Sequence, residues 1–161
     1  MKLHLCCGKQ ILEDFINVDQ LDFGQEIVAD LNKKWKFAKN NSVEYIYIKD
    51  GLEHLESLEH FFKECERVLK PKGIVEIRVP HYKSPSAYRM THKHYFSWNF
   101  FNTFPEPHDN IKKLKVISNQ LIFEPKVFPF TLMNILTNLF PKYWEKFFYA
   151  CEIKVKLQKT E

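Results

Sequence analysis

The most constraining feature of this sequence is an amphipathic helix pattern that lies between two runs typical of β-strands. Residues 43–48 and 74–79 are rich in β-branched and aromatic residues, and Pro80 closes the second run. From Leu52 to Leu69, apolar residues recur at intervals of three and four with charged residues between them, which predicts a helix. A strand, a helix and a strand in this order form a parallel βαβ unit. We therefore expect an α/β fold with a mostly parallel sheet, flanking helices and a ligand crevice at the carboxyl ends of the strands.

Both ends of the predicted helix carry recognisable signals. Asp50 or Ser57 could cap its start. Pro71 stops the helix because a proline cannot donate to the helical hydrogen-bond ladder, and Gly73 then tolerates a left-handed backbone.

Three shorter strand patterns precede this unit, and each ends in a polar turn. They span residues 3–6, 15–19 and 26–30. Too few residues separate Gly8 from Phe15 for a usual parallel crossover, which takes about a dozen. We therefore expect at most one helical turn there, near residues 10–13.

After residue 80 the sequence becomes richer in aromatic residues. Its patterns predict strands at 114–117, 121–123 and 151–157 and helices at 131–140 and 143–149, with Pro141 between the helices. In the last strand, we expect Ile153, Val155 and Leu157 to face the core.

Composition excludes several classes of protein. The 161 residues carry a net charge of +4 with 45% hydrophobic residues, so a charge-rich disordered chain is excluded and nucleic acid is not an expected partner. Cys6 and Cys7 are adjacent and cannot readily bridge each other, which argues against a disulfide framework and favours a cytoplasmic, reducing location. We expect no signal peptide at residues 1–8, and we expect no transmembrane helix in the most apolar stretch, 128–150, because polar residues interrupt it too often.

Gly8, Asp19 and Asp30 each follow a predicted strand and together suggest a cofactor site. A glycine lets the backbone approach a ligand, and an acid at the next strand end can accept hydrogen bonds from a ribose diol. Acids at strand ends are also ordinary turn formers, so the spacing alone leaves both interpretations open.

The motifs resemble those of the class I S-adenosylmethionine-dependent methyltransferases, in their short, type 11-like form. Two pieces are the most specific: the sequence LEHL at residues 52–55 and the sequence RVLKPKG at residues 67–73. The other matching pieces are residues 3–8, 15–19 and 28–31. The resemblance implies a reduced Rossmann-like sheet, with a single domain (1–161) divided into a cofactor-binding half (1–80) and an aromatic-rich, acceptor-side half (81–161).

The resemblance also implies roles for particular residues with S-adenosylmethionine as cofactor. Asp19 would bind the ribose hydroxyls, and Asp30 with Leu31 would lie beside the adenine. His54 could face the active site or be a structural helix histidine. The remaining residues implied near the methionine end of the cofactor are Leu5, Cys6, Cys7, Gly8, Lys49 and Asp50.

Some residues depart from the family pattern. Cys6 stands where a glycine is expected, so its side chain could crowd the cofactor or require a turn without positive φ; replacing it by Gly should then tighten binding. The departures keep open a noncatalytic methyltransferase-like binding or interaction module. A nicotinamide dehydrogenase is disfavoured, because it needs three glycines and a helix N-terminus to hold a pyrophosphate.

The acceptor side is predicted from the segments that follow the fifth strand. By the resemblance, residues 81–86 and 91–98 shape the acceptor pocket, and His81, His92 and His54 are the candidate catalytic residues for an acceptor that must lose a proton. Each could equally be structural. His92 and His94 lack a metal-binding partner motif, so we predict no metal site. The methyl acceptor is not identified by the sequence.

A membrane surface is a further possible partner. The predicted helix 143–149 has the aromatic and cationic character of a membrane-interface helix, although such residues more often complete a core. The residues concerned are Tyr143, Trp144, Phe147 and Phe148, together with Lys142 and Lys146.

Overall fold

A seven-stranded sheet organises the computed structural model, which describes residues 1–123, 130–147 and 150–161. The strand order is β3-β2-β1-β4-β5-β7-β6; the first five strands are mutually parallel, and β7 runs antiparallel to both β5 and β6. This confirms the predicted α/β fold. The strands are β1 (Lys2–Leu5), β2 (Ile16–Asp19), β3 (Ile27–Val28), β4 (Val43–Lys49), β5 (Leu69–Pro80), β6 (Leu114–Ile122) and β7 (Glu152–Lys159).

The predicted helix between β4 and β5 begins later than Leu52. Leu52–His54 form a separate 3-10 turn, and Leu55 is extended with φ −70° and ψ 152°. Helix α1 (Leu58–Val68) follows, and the Ser57 side chain caps it by accepting a hydrogen bond from the His60 N–H at 3.1 Å. Ser57 is therefore the cap of α1, and Asp50 lies outside this helix.

Gly73 lies in the irregular first part of β5, just after α1, where no side chain would fit. Lys72 adopts the left-handed conformation (φ 66°), so the prediction that Gly73 supplies it is wrong. A Cβ on Gly73 would instead lie 2.9 Å from the Lys70 carbonyl oxygen and 3.2 Å from that of Val43. Gly73 is needed because β4 and β5 approach each other closely there.

No helix connects β1 to β2, as predicted. The buried Asn17 side chain organises this loop: its Oδ1 accepts a hydrogen bond from the Leu12 N–H at 3.0 Å, and its amide donates to the Leu12 carbonyl at 3.1 Å. His4, also buried, donates from Nδ1 to the same Oδ1 at 3.0 Å. One side chain thus satisfies backbone groups that a crossover helix would otherwise pair.

An ion pair on α1 fixes the loop before β4. Glu64 accepts a hydrogen bond from the Trp35 N–H at 2.7 Å and pairs with Arg67 at 2.7 Å. Arg67 also donates to the carbonyl of Trp35 at 2.9 Å and to that of Ala38 at 3.0 Å. The fully buried Trp35 ring then packs edge-on against Phe61.

Among the described residues, the second half adds an antiparallel pair of strands, a 3-10 turn at Pro85–Ala87 and three α-helices. The two strands predicted at 114–117 and 121–123 are one strand, β6, which pairs along its length with β7 and is irregular only between Val116 and Ser118. The inward residues of β7 are buried as predicted. The helices are α2 (Trp98–Asn102), α3 (Phe130–Leu139) and α4 (Pro141–Phe147); residues 148 and 149 of the predicted last helix lie outside the described residues. None of the helices in these described ranges has the length and apolar character needed to cross a membrane.

Candidate active site

The carboxyl ends of β1, β2 and β3 form one side of a cleft of about 600 Å³. Gly8, Asp19 and Asp30 all line this cleft, as their positions in the sequence predict. Asp19 ties the turns together, since its carboxylate accepts hydrogen bonds from the Gly8 N–H at 2.9 Å and the Leu21 N–H at 3.0 Å. An ionised carboxylate has about four acceptor sites, so Asp19 can still accept hydrogen bonds from a ligand.

The far end of the cleft is held in shape by Asp30. Its Oδ1 accepts hydrogen bonds from the Asn32 backbone N–H at 2.9 Å and the Asn32 side-chain amide at 3.0 Å. The backbone hydrogen bond from Asn32 is the main cause that lowers the pKa of Asp30, so this carboxyl is ionised at neutral pH. Leu31 is buried next to it and offers an apolar wall.

Cys6 occupies a turn with positive φ (52°), which corrects the expectation that a cysteine there would require another backbone. Its side chain lies against Gly51, where an added Cβ would be 2.5 Å from Cys6 Cβ and 2.8 Å from Cys6 Sγ. Burial, together with the charges of Asp19 and Glu53, raises the pKa of Cys6 to about 12. The absence of a side chain at position 51 thus makes room for the Cys6 thiol.

The other residues predicted near the cofactor are divided between this cleft and its surroundings. Asp50 lines the cleft with Cys6. Leu5 and Cys7 are buried and do not line it. Lys49 lines a second, neighbouring pocket.

The second pocket, of about 330 Å³, shares Asp50, His54 and Thr91 with the cleft. It is enclosed by the end of β5, the loop after it and the start of β7. Two of the three predicted catalytic histidines, His54 and His92, line it. The two cavities therefore meet at residues that come from the β4 end and from the 91–98 segment.

His54 and His92 have fixed ring orientations. His54 donates from Nδ1 to the Thr91 carbonyl at 3.1 Å, and His92 donates from Nδ1 to the Ala87 carbonyl at 2.8 Å. Their rings meet edge to face with centroids 4.6 Å apart. Burial lowers the pKa of His92, so its ring is neutral at pH 7. In the neutral His92 ring, Nε2 therefore carries the lone pair.

Glu53 is a functional candidate that the sequence patterns do not single out. Its side chain is 1% exposed, and neither carboxylate oxygen has a hydrogen-bond partner among the described residues. Burial raises the pKa of Glu53 to about 7, and the Asp50 charge adds to the shift. Its position inside the LEHL motif, beside His54, was the available signal.

The structure does not bring His81 to either pocket. Its fully buried ring donates from Nε2 to Glu145 Oε1 at 3.1 Å and accepts at Nδ1 from the Lys83 N–H at 3.2 Å. Glu145 also accepts from the Trp98 N–H. This arrangement ties the end of β5 to α2 and α4. His94 is likewise engaged elsewhere, with Nε2 bonded to the Leu55 carbonyl at 2.9 Å.

Residues 7–77 match the family model described as "Methyltransferase domain". That segment is similar to the type 11 methyltransferases, the family that the sequence motifs resemble. S-adenosylmethionine is the cofactor of this methyltransferase family. The described residues suit that cofactor: the cleft has a volume typical of ligand sites, the backbone at Gly8 is unobstructed, and Asp19 has free acceptor sites.

Solved structures share the methyltransferase fold at low sequence identity. A SAM-dependent methyltransferase from Archaeoglobus fulgidus has 16% identity and a TM-score of 0.65, with 98% of this chain and 85% of that chain covered. One from Mesorhizobium loti has 13% identity and a TM-score of 0.62, with coverages of 98% and 90%. The [4+2]-cyclase SpnF has 11% identity and a TM-score of 0.65, with coverages of 99% and 74%. No curated protein matches the sequence.

An apolar surface lies on α3 and the start of α4, away from both pockets. Its side chains are between 43% and 68% exposed: Leu132, Ile135, Leu136, Leu139, Phe140 and Tyr143. The residues 147–149 of the predicted membrane-interface helix have no described side chains. Contact with a membrane surface stays a prediction.

Proposed function

We propose that this chain is an S-adenosylmethionine-dependent methyltransferase that binds its cofactor in the 600 Å³ cleft and its acceptor in the 330 Å³ pocket. The observation that carries the proposal is that the two cavities meet at Asp50, His54 and Thr91. Methyl transfer is an in-line displacement, so cofactor and acceptor must be held on either side of one opening. A cleft that shares three lining residues with a smaller pocket supports this arrangement.

The proposed cofactor roles follow the lining of the cleft. Asp19 accepts hydrogen bonds from the ribose hydroxyls, and Asp30 with Leu31 borders the adenine. The turn from Leu5 to Gly8, with Cys6 and the buried Cys7, supports the methionine end. Lys49 and Asp50 form the border with the acceptor pocket.

The acceptor pocket offers groups for positioning and for proton removal. S-adenosylmethionine supplies a methyl group on a sulfonium whose charge disappears on transfer, so exclusion of water favours the step. Nε2 of His92 is free to accept a proton from an acceptor hydroxyl or amine, because Nδ1 is committed to the Ala87 carbonyl. His54 lies beside it at the opening. His81, with both ring nitrogens engaged, is better suited to a structural role than to the catalytic one expected from sequence.

A reducing, cytoplasmic location is part of the proposal. All four cysteines are free thiols in the structure, which supports it: Cys6, Cys7, Cys65 and Cys151.

Isothermal titration with S-adenosylhomocysteine tests the cofactor assignment. Asp19→Ala should weaken binding by about tenfold or more, since hydrogen bonds to an ionised acceptor contribute about 1.5–3 kcal/mol each. Asp22→Ala is the matched control, because Asp22 lies exposed in the same loop and does not line the cleft. Equal affinities of Asp19→Ala and the parent protein would contradict the ribose role.

Turnover then separates an enzyme from a noncatalytic binding module. Purified protein is incubated with S-adenosylmethionine and pools of small-molecule hydroxyl and amine acceptors, and S-adenosylhomocysteine formation is measured. His92→Gln should abolish acceptor-dependent formation while retaining affinity for S-adenosylhomocysteine. Tight cofactor binding with no turnover on any pool would favour the binding module.

A further inference from the structure

The acceptor pocket contains a carboxylate that lacks a counterpart. Glu53 is 1% exposed, and both of its oxygens are without hydrogen-bond partners among the described residues. Burying a carboxyl group without a hydrogen-bond partner is costly, and buried charges in proteins are normally paired or bind a metal. The described side chains therefore do not supply a hydrogen-bond partner for the Glu53 carboxyl group.

Two imidazoles point toward the same place. One donor atom from each of Glu53, His54 and His92 lies within 4.8 Å of the others, and His92 Nε2 is 4.0 Å from Glu53 Oε1. In each ring, the hydrogen bond from Nδ1 to a backbone carbonyl leaves Nε2 as the lone-pair donor. A histidine that binds a metal usually makes this kind of second hydrogen bond, which fixes its tautomer and its orientation.

We propose that Glu53, His54 and His92 bind one divalent transition-metal cation, such as Zn²⁺, in the pocket beside the cofactor cleft. One carboxylate and two imidazoles form a known ligand set for such cations and leave coordination positions open. Ligand atoms about 2.1 Å from a tetrahedral ion lie about 3.5 Å apart, so small side-chain rotations would close this site.

The charged residues around the pocket do not by themselves show whether a cation binds there. Asp50 and Glu152 bring negative charge to the pocket, whereas Lys49 and Arg89 bring positive charge. Glu152 is already paired with Arg78. The proposed site therefore depends on the three donor atoms and their fixed orientation.

The position of the cation has a consequence for the acceptor, which rests on the proposed function. A metal-bound acceptor oxygen would lose its proton more readily, because a bound cation lowers the pKa of a coordinated hydroxyl or water. His92 would then be a ligand, and the cation would replace it in activating the acceptor. The substrate class would be an oxygen acceptor such as an alcohol, phenol or hydroxy acid.

Metal titration of untagged protein tests the site. The protein is stripped with a chelator and titrated with Zn²⁺ by calorimetry and with Co²⁺ by visible absorption. We expect one ion per chain and a loss of affinity of about tenfold or more in both Glu53→Gln and His92→Gln, since even outer-shell changes at metal sites cost about 10–100-fold. His94→Gln is the matched control, because His94 is bonded to the Leu55 carbonyl outside the cluster.

Thermal melting provides a second readout. Zn²⁺ should raise the melting temperature of the parent protein and not that of Glu53→Gln, because a ligand of the native state stabilises it by mass action. Metal-free Glu53→Gln should melt no lower than the metal-free parent, since it replaces an unpaired buried carboxyl group with an uncharged amide of the same shape. If it does not fold, His92→Gln carries the comparison.

Three results would overturn the proposal. They are the absence of Zn²⁺ and Co²⁺ binding by the parent protein, binding that survives both substitutions, and binding abolished by Cys151→Ser, because Cys151 lines the same pocket. The test of the metal site is independent of the test of the cofactor assignment. Asp19→Ala should lose affinity for S-adenosylhomocysteine and keep Zn²⁺, whereas Glu53→Gln should do the reverse.

Discussion

Gly51→Ala should destabilise the protein through a collision with Cys6. Gly51 has φ −134°, outside the left-handed region, so the backbone itself would accept an alanine. The new Cβ would lie 2.5 Å from Cys6 Cβ, an atom that no rotation of the cysteine side chain can move away. Overpacking of this kind costs about 1–3 kcal/mol.

Cys6→Gly should rescue that cost. Alone, it relieves about 1–2 kcal/mol of left-handed backbone strain at φ 52°. It also loses about 1.5 kcal/mol of buried side chain and about 0.5–1 kcal/mol through unfolded-chain entropy. The single change is therefore nearly neutral or slightly destabilising. In the double variant the methyl group introduced at position 51 fills the vacated space, so we expect a favourable coupling of about 1–3 kcal/mol.

Urea denaturation of the four proteins in this cycle measures the coupling. Gly24→Ala is the control, because it introduces left-handed backbone strain without a steric collision. Gly24 has φ 87°, and nothing lies within 4 Å of an added Cβ. Additive effects, with a coupling below about 0.5 kcal/mol, would refute the reasoning. Titration with S-adenosylhomocysteine adds a second test: the thiol faces Gly51, so Cys6→Gly should change affinity by less than about threefold, or 0.7 kcal/mol. Clearly tighter binding would show that Cys6 crowds the cofactor, as the sequence suggests.

Two further predictions concern groups that hold the scaffold of the site. Arg67→Met should lower the free energy of unfolding by about 2–4 kcal/mol, because the buried Glu64 loses its ion-pair partner and two loop carbonyls lose a donor. Urea denaturation measures this loss, and a value below about 0.5 kcal/mol would contradict the prediction. His81→Ala should cost about 1–3 kcal/mol, because Glu145 loses one of its hydrogen bonds and the Lys83 N–H loses its acceptor, yet it should leave the affinity for S-adenosylhomocysteine unchanged. A stable variant with weakened binding would show that His81 serves the cofactor instead.

The parallel strands and the cofactor cleft could be predicted because their signals are local. A short apolar run that ends in Gly8 or Asp19 specifies both a strand and the side chain at its carboxyl end. The break before α1 could not be predicted with the same ease. Leu52, Leu55 and Leu58 keep a helical spacing, and all three pack toward the core whether or not the backbone between them is helical.

The three candidate histidines show why the acceptor side was harder to predict. From sequence, His81 and His92 are similar ring residues in one aromatic segment. Their difference arises from contacts that span the chain: Glu145, on α4, binds the His81 ring, whereas Ala87 and Thr91 orient the rings that line the pocket.

The LEHL motif links the two cavities through its backbone as well as its side chains. The Glu53 carbonyl accepts hydrogen bonds from the N–H groups of Lys93 at 2.8 Å and His94 at 3.3 Å, so it holds the 91–94 segment over the pocket. The Glu53 carboxylate lies 4.0 Å from His92 Nε2. Because Gly51, just before the motif, also accommodates Cys6, one short segment sets the shape of the cofactor turn and the position of the acceptor-side histidines. These contacts explain how the cofactor side and the acceptor side of the site keep their relative positions in a chain without a crossover helix between β1 and β2.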